Sequence, residues 1–233
     1  MNLTLPQAGR NVLITGANVG IGRVTAITLA KQGARVFIAG RSEEKIRPVV
    51  QEICSATGWP DAAMWIPLEL SDLASVKNCA EQFLKLGLPL HMLINNAGLA
   101  GAKGQTAQGF ELAFGVNHLG HFLLTHLLLD RIKASAPARI ITVASRAHRM
   151  VRGGIAWDAL QKPSHSLPGV KAYGLSNLRH ILFTAELAPT LPATPIPPYS
   201  LHHPAAPARR AGMGRVGRGG VAGGGECRGG RRS

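Results

Sequence analysis

The chain has 233 residues, 45% of them hydrophobic, and a formal net charge of +14, which fits one globular domain with a basic appendage. No apolar run reaches the roughly 18 residues of a membrane helix, no secretory leader opens the chain, and three scattered cysteines argue against a disulfide framework or a zinc site. These absences predict a cytoplasmic or organelle-associated location without a membrane span.

Two periodicities alternate along the first 188 residues. Short apolar runs predict five buried parallel strands, and helical spacing between them predicts helices that end at glycines. The strands are expected at residues 12–14, 36–39, 64–68, 92–94 and 140–143, and the helices at 21–32, 72–86 after a Ser71 cap, and 110–132. This alternation predicts an α/β fold with a doubly wound, Rossmann-like parallel sheet.

The amino-acid composition of the chain changes after residue 188. Residues 189–204 are rich in proline, and residues 205–233 are rich in glycine and arginine with few apolar anchors, which is typical of disorder. That tail has seven arginines and one glutamate, so it carries +6 and leaves a mildly basic +8 on the rest of the chain. We therefore expect a nucleotide-binding domain over residues 1–188, a proline-rich remnant and a disordered tail.

A glycine-rich loop, TGANVGIG, follows the first predicted strand at residues 15–22. Its glycines Gly16, Gly20 and Gly22 permit a tight turn and a close approach of the backbone to a phosphate, while the next helix points its free amides at a pyrophosphate. An ordinary glycine-rich turn is the alternative, but the order strand, loop, helix favours dinucleotide binding.

The second predicted strand ends in IAGRS, where the adenosine ribose of a bound dinucleotide lies. An acidic side chain at this point would accept hydrogen bonds from the 2′-hydroxyl of NAD, whereas Arg41 can pair with a 2′-phosphate. The sequence therefore predicts NADP(H), unless Arg41 is only a solvated loop charge.

Further segments follow in order: LELSDLASV at 68–76, INNAG at 94–98, GVNHLGHFLLTHLLL at 115–129, RIITVASRAH at 139–148 and AYGLSNLRHILFTAELA at 172–188. Together with the glycine loop they resemble the short-chain dehydrogenase/reductase family, in its retinol dehydrogenase-like branch. The resemblance implies hydride transfer between nicotinamide and an alcohol or carbonyl substrate, with lipophilic or retinoid-like molecules as candidates. It also implies that the C-terminal part of the fold is incomplete and divergent here.

By this resemblance, Asn117, Ser145 and Tyr173 occupy three positions of the family's catalytic tetrad. The resemblance also assigns cofactor contacts in three segments. These contacts are Thr15, Gly16, Asn18, Gly20, Ile21 and Gly22 in the glycine loop, Arg41, Glu69 and Leu70 near the adenosine, and Asn95, Ala97 and Gly98 in the INNAG segment.

The fourth tetrad position, a lysine in the family, is Asn177 in this chain. Residues i and i+4 share a helix face, so a lysine there would lie beside the phenol of Tyr173, favour its phenolate and hold the nicotinamide ribose. Asparagine supplies hydrogen bonds but no charge, and an ordinary phenol is only about one-thousandth ionised at pH 7. We therefore expect impaired catalysis, and a pseudoenzyme that only binds cofactor is the alternative function.

Other conspicuous features give weaker indications. His118, His121 and His126 share a helical stretch without a carboxylate or cysteine at metal spacing, so no metal is expected. Trp157, between Ser145 and Tyr173, either lines an apolar pocket or pins its loop to the core.

The arginine-glycine tail lacks aromatic residues for base stacking, which makes a nucleic-acid binder the least favoured function. A second copy of the chain is a further candidate partner.

Overall fold

The computed structural model describes residues 5–152, 160–161, 170–190 and 198–203. In these ranges the chain alternates strands and helices, as predicted. The strands are β1 (Asn11–Thr15), β2 (Arg35–Gly40), β3 (Ala63–Pro67), β4 (Met92–Asn95), β5 (Arg139–Ser145) and β6 (Pro198–His203). The helices are α1 (Gly20–Lys31), α2 (Glu43–Thr57), α3 (Leu73–Lys85), α4 (Gly120–Ala134) and α5 (Val170–Leu187).

The strands form one parallel sheet in the order β3-β2-β1-β4-β5-β6. This is a doubly wound, Rossmann-like sheet, and it confirms the predicted fold class. The strand order reverses between β1 and β4, and ligands of such sheets bind outside the carboxyl ends of the strands at this switch point.

Alternating side chains of β1 explain the two layers of helices. Leu13 belongs to a core shared with α3 and α4, whereas Val12 and Ile14 belong to the opposite core, shared with α1 and α2. All three side chains are completely buried, as expected for a central strand covered on both faces. The cores fix the strand ends and thereby the loops that follow them.

Two helices differ from the sequence-based expectation, α3 in its first residue and α2 in being present at all. Helix α3 is capped by Asp72, whose Oδ1 accepts a hydrogen bond from the amide of Ala74 at 2.9 Å, so the predicted Ser71 cap is wrong. Helix α2 was not predicted, although Ser42 caps it by accepting from the amide of Lys45. Pro48 lies inside α2, and a proline at such a position argues against a helix when the sequence is read alone.

The single helix predicted over residues 110–132 consists of two parts. A π-helical turn, Phe114–Leu119, precedes α4, and Gly120 donates its amide to the carbonyl of Gly115, five residues back. Such turns are rare in proteins, and those that occur are often found at functional sites. Asn117 lies within this turn.

The backbone of β6 extends the sheet beyond the five predicted strands. It pairs with β5 from Ile140↔Pro198 to Ser145↔His203 and forms one edge of the sheet within the described residues. Pro198 is the first residue of this edge strand, a position where proline is tolerated. Trp157 and residues 205–233 lie outside the described residues, so the predictions for them, like the predicted domain limits, stay predictions.

None of the helices in the described ranges combines the length and the apolar character that a bilayer-spanning segment requires.

Candidate active site

A cavity of about 510 Å³ lies where β1, β2 and β4 end and reaches α5 on the far side. The loop after β1, the end of β2 and the loop after β4 line one part of it. Tyr173 and Asn177 of α5 line another part, together with Asn117 of the π-helical turn. The sheet switch point and three of the four expected catalytic positions therefore share one cavity.

The glycine loop forms the floor beside α1. Gly16 has a φ of +68°, and a Cβ built on it would lie 2.8 Å from the Cα of Ala97. A Cβ at Gly22 would lie 2.7 Å from the carbonyl oxygen of Gly16. No side chain caps the start of α1 at Val19, and its first turn contains no acidic residue. The first amides of α1 are therefore available to an anion.

Gly16, Asn18, Ile21 and Gly22 line the cavity, whereas Thr15 and Gly20 are not among the lining residues. Thr15 is fully buried, and its Oγ1 accepts hydrogen bonds from the amides of Asn96 at 3.0 Å and Ala97 at 2.9 Å. It therefore joins the ends of β1 and β4 beneath the cavity.

Arg41 and Glu69 face each other at the end of β2. The Arg41 Nε lies 3.7 Å from the Glu69 Oε2, and the arginine side chain is 77% exposed. The other carboxylate oxygen of Glu69 accepts from the amide and the hydroxyl of Ser71, at 2.9 and 2.8 Å. Both residues line the cavity with Leu70. The exposed Arg41 side chain is thus paired at this end of the cavity with a carboxylate that Ser71 holds in place.

Asn95, the last residue of β4, and Asn96, the next residue, have different positions. Asn95 is buried and donates to the Oγ1 of Thr125 at 3.0 Å, so its side chain lies away from the cavity. Asn96 lines the cavity, and its Nδ2 donates to the carbonyls of Thr15 and Gly16. Sequence reasoning missed Asn96, although successive residues of a strand point to opposite sides and this alternation separates the pair. Ala97 and Gly98 also line the cavity.

The Asn117 side chain is satisfied on both sides by protein groups. Its Oδ1 accepts from the amide of Leu99 at 2.8 Å, while its Nδ2 donates to the Leu99 carbonyl and to the Oγ of Ser176. Asn177 is buried, and its Nδ2 donates to the backbone carbonyl of Tyr173 at 2.8 Å. The polar groups of this wall are therefore held in place before any ligand arrives.

Ser145 is the last residue of β5 and is 3% exposed. Its Oγ accepts from the amide of Ala147 at 3.2 Å. The adjacent Ala144 and Val143 line the cavity, but Ser145 does not. The structure thus brings Ser145 to the border of the site rather than onto its wall.

A group of three histidines, His118, His121 and His180, adjoins the cavity behind Asn117. The ring centroids of His118 and His180, and of His121 and His180, are 5.6 Å apart. Burial lowers the pKa of His118 and of His121 to about 4 and the pKa of His180 well below its usual range. His180 lines the cavity, and sequence reasoning missed it because it is contributed by a different helix. Within the described ranges, no three potential ligand residues are arranged to hold a metal.

Known proteins resemble both the sequence and the structure. Residues 10–157 match the family model described as short chain dehydrogenase. Human retinol dehydrogenase 11 is 46% identical over 200 residues, which are 85% of this chain and 62% of that protein. The chain thus spans about three fifths of the length of the retinol dehydrogenases that it matches.

Two solved structures with bound coenzymes share the fold. The Pseudomonas aeruginosa RhlG/NADP active-site complex is 30% identical with a TM-score of 0.65, covering 84% of this chain and 72% of that one. A short-chain dehydrogenase/reductase from Burkholderia phymatum in complex with NAD is 23% identical with a TM-score of 0.67, covering 84% and 66%.

Proposed function

The chain belongs to the short-chain dehydrogenase family, and we propose that it is an NADP(H)-dependent oxidoreductase. The reaction is hydride transfer between the nicotinamide and an alcohol or carbonyl substrate. The observation that carries the proposal is that a single cavity joins the uncapped start of α1 to the phenol-bearing helix α5. A diphosphate and a reacting carbonyl could thus be held in one connected space.

The residues on the floor of the cavity fit a dinucleotide. The space beside Gly22 is already so narrow that a Cβ would collide with the Gly16 carbonyl, which brings the α1 amides close to any ligand in the cavity. Those amides and the positive end of the helix dipole favour a pyrophosphate. When bound, the coenzyme would supply or accept the hydride.

Arg41 supports the choice of NADP(H) over NAD(H). Its exposed guanidinium can pair with a 2′-phosphate through two parallel hydrogen bonds. The Glu69 carboxylate, 3.7 Å from Nε, holds the guanidinium at the rim of the cavity. The Glu69 carboxylate also repels a 2′-phosphate, so the attraction between Arg41 and the phosphate must exceed this repulsion. The two coenzyme-bound structures hold NADP in one case and NAD in the other, so Arg41 alone supports this choice.

Tyr173 is proposed to move the proton at the substrate oxygen, because it is the tyrosine among the described residues that line the cavity. Asn117 would keep its helix and the Leu99 backbone in register through the bonds described above. Ser145, at the border of the site, is proposed to hold the substrate oxygen as in the family. Leu99, Leu112 and Val116 add apolar wall, which suits a lipophilic substrate such as the retinoids suggested by the names of the relatives.

A cofactor-binding pseudoenzyme is the second candidate, and Asn177 favours it. Among the described residues that line the cavity, Arg41 alone carries a permanent positive charge, and it belongs to the β2 end. The Nδ2 of Asn177 is engaged by the Tyr173 carbonyl. Neither group can replace a lysine ammonium beside the phenol.

Calorimetric titration with NADPH and NADH tests the cofactor, and a turnover assay on small lipophilic aldehydes then separates the two candidates. We expect saturable binding with NADPH preferred. Turnover by the native chain would favour the oxidoreductase, and turnover only after Asn177→Lys would favour the pseudoenzyme. Absence of heat with either coenzyme, on protein with a cooperative melting transition, would reject both.

A further inference from the structure

We propose that His121 is a positioning residue, held as one neutral tautomer, that couples the loops after β1 and β4 to Asn117 and the tyrosine helix. The inference concerns the hydrogen-bond network itself. It rests on the proposed function only in that these loops are the proposed coenzyme loops.

The hydroxyl of Thr15 determines the direction of the first bond. Its oxygen already accepts the amides of Asn96 and Ala97, and a hydroxyl has two acceptor positions and one proton. The third contact, 2.9 Å to the Nε2 of His121, must therefore use the Thr15 proton. Nε2 of His121 is consequently the unprotonated ring nitrogen.

The other ring nitrogen confirms this assignment from the opposite side. His121 Nδ1 lies 2.9 Å from the backbone carbonyl of Asn117, which can only accept. Nδ1 therefore carries the proton and donates it to Asn117. The ring is fully buried, so water cannot substitute for either partner, and each end of the imidazole is assigned a single role.

The network continues from Asn117 to the tyrosine helix. The Asn117 side chain donates to the Oγ of Ser176 at 2.9 Å, and that hydroxyl donates to the backbone carbonyl of Tyr173 at 2.9 Å. Asn117 also bonds to the amide and the carbonyl of Leu99, another residue that lines the cavity. Hydrogen bonds on the backbone carbonyl and on the side chain of Asn117 thus connect the phosphate-side loops, through one imidazole and this one residue, with the backbone of Tyr173.

A neutral imidazole is essential to this arrangement. Once protonated, His121 would donate from both nitrogens, and the Thr15 proton would lose its acceptor. Burial opposes protonation and lowers the His121 pKa to about 4. The titratable groups around it are His118 from the π-helical turn and His180 from α5, and Arg179 lies beyond His118. For His121 itself, burial outweighs the hydrogen bond to the Asn117 carbonyl, which favours the protonated ring and raises the pKa.

The tautomer can be measured directly on the full chain. Nitrogen-15 NMR of ¹⁵N-histidine-labelled protein at neutral pH should show His121 with a protonated Nδ1 and an unprotonated Nε2, assigned by its disappearance in His121→Leu. An Nε2-protonated or a cationic His121 would overturn the proposal, whether or not the protein binds a coenzyme.

Coupling is measured by amide hydrogen exchange. In His121→Leu the Thr15 hydroxyl loses its acceptor, so the amides of Asn96 and Ala97 should exchange about 10-fold faster. The exposed His126→Leu serves as the matched control and should leave both amides unchanged. Unchanged exchange in folded His121→Leu would reduce His121 to a packing residue and overturn the proposal. If His121→Leu does not fold, His121→Phe, which keeps an aromatic ring but offers the Thr15 hydroxyl no acceptor, tests the same bond while the Thr15 oxygen still accepts both amides.

NADPH affinity then distinguishes this inference from the proposed function. The expected result is NADPH binding weakened about 10-fold in His121→Leu, and no further weakening when His121→Leu is added to Thr15→Val, in which the Thr15–His121 bond is already absent. Additive losses would contradict the coupling. A native chain that shows the expected tautomer and exchange but no NADPH binding would refute the function and leave the network intact.

Discussion

The Nδ2 of Asn177 donates a hydrogen bond of 2.8 Å to the backbone carbonyl of Tyr173, one helical turn earlier. The amide is thus turned toward the helix backbone, and the side chain is 3% exposed although the residue lines the cavity. A charged lysine cannot be satisfied by one carbonyl in this position and would extend toward the cavity. Asparagine in place of the family's lysine at position 177 therefore changes both the charge beside the phenol and the direction of the side chain.

Asn177→Lys is expected to raise the rate of carbonyl reduction by about 10²–10⁴, because a positioned cation favours the phenolate and completes the proton transfer. Initial rates with NADPH and a lipophilic aldehyde measure the effect. Asn177→Gln, longer but uncharged, is the matched control and should not raise the rate. An equal gain in both variants would assign the effect to side-chain length rather than charge.

Tyr173→Phe in the Asn177→Lys background should remove the gained activity while leaving NADPH binding within about twofold, since the hydroxyl acts on the substrate oxygen. Persistence of the activity would show that another group transfers the proton.

Arg41→Gln is expected to weaken NADPH binding about 10- to 100-fold and to leave NADH binding nearly unchanged, because only NADPH has the 2′-phosphate. Calorimetry with both coenzymes at one salt concentration measures the difference. Arg47→Gln on the exposed side of α2 removes the same charge away from the cavity and is the control. Equal weakening of both coenzymes would remove Arg41 as the selectivity residue.

Glycine positions in the cavity are predicted to differ in their tolerance of a methyl group. A Cβ at Gly22 would lie 2.7 Å from the Gly16 carbonyl, whereas a Cβ at Gly98 would meet only the Asn117 side chain, at 3.5 Å and 3.8 Å. Gly22→Ala should therefore lower NADPH affinity at least about 10-fold, because the methyl group displaces the loop from α1. Gly98→Ala has room for the methyl group, so its melting temperature should stay close to that of the native chain. Melting curves together with NADPH titrations compare the two variants. Equal tolerance would mean that α1 can shift away from the loop.

Local sequence patterns predicted the fold well because the relevant signals lie within one element. A short apolar run is enough to predict each of the strands β1 to β5, and a glycine is enough to predict the end of α1 and of α3. The sequence does not predict helix α2 because Pro48, inside it, is a residue that normally interrupts helices. It does not predict the π-helical turn because the spacing of apolar residues does not show whether an amide bonds to the carbonyl four or five residues back. Such features depend on packing against other elements.

The candidate site was predictable where it depends on backbone position and less so where it depends on side-chain direction. Gly16, Gly22, Arg41 and Tyr173 line the cavity as the motifs suggested. The motif alone does not show that Asn95 points into the core while Asn96 faces the cavity. The roles of all these residues stay predictions until coenzyme binding is measured.

The buried histidines predict a loss of stability in acid. The unfolded chain binds protons at histidine near its ordinary pKa of about 6.5, but burial lowers the pKa of His118 and His121 to about 4 in the folded chain. Below pH 6.5 the unfolded state therefore binds more protons, and the free energy of unfolding decreases as the pH falls toward 4. For the fully buried His121 the loss approaches about 3 kcal/mol at pH 4. Asp72 titrates below its usual 3.8, outside this window.

His118→Phe separates this effect from general acid unfolding. The His118 ring lies between Phe114 and Phe122, and its Nδ1 has no hydrogen-bond partner within the described residues. Phenylalanine fits the same contacts without a titrating nitrogen, so Tm should fall less between pH 6.5 and 4.5 than in the native chain. The exposed His126→Gln should keep the native dependence of Tm on pH. Parallel curves for all three proteins would contradict a lowered pKa of the half-buried His118 in the folded chain.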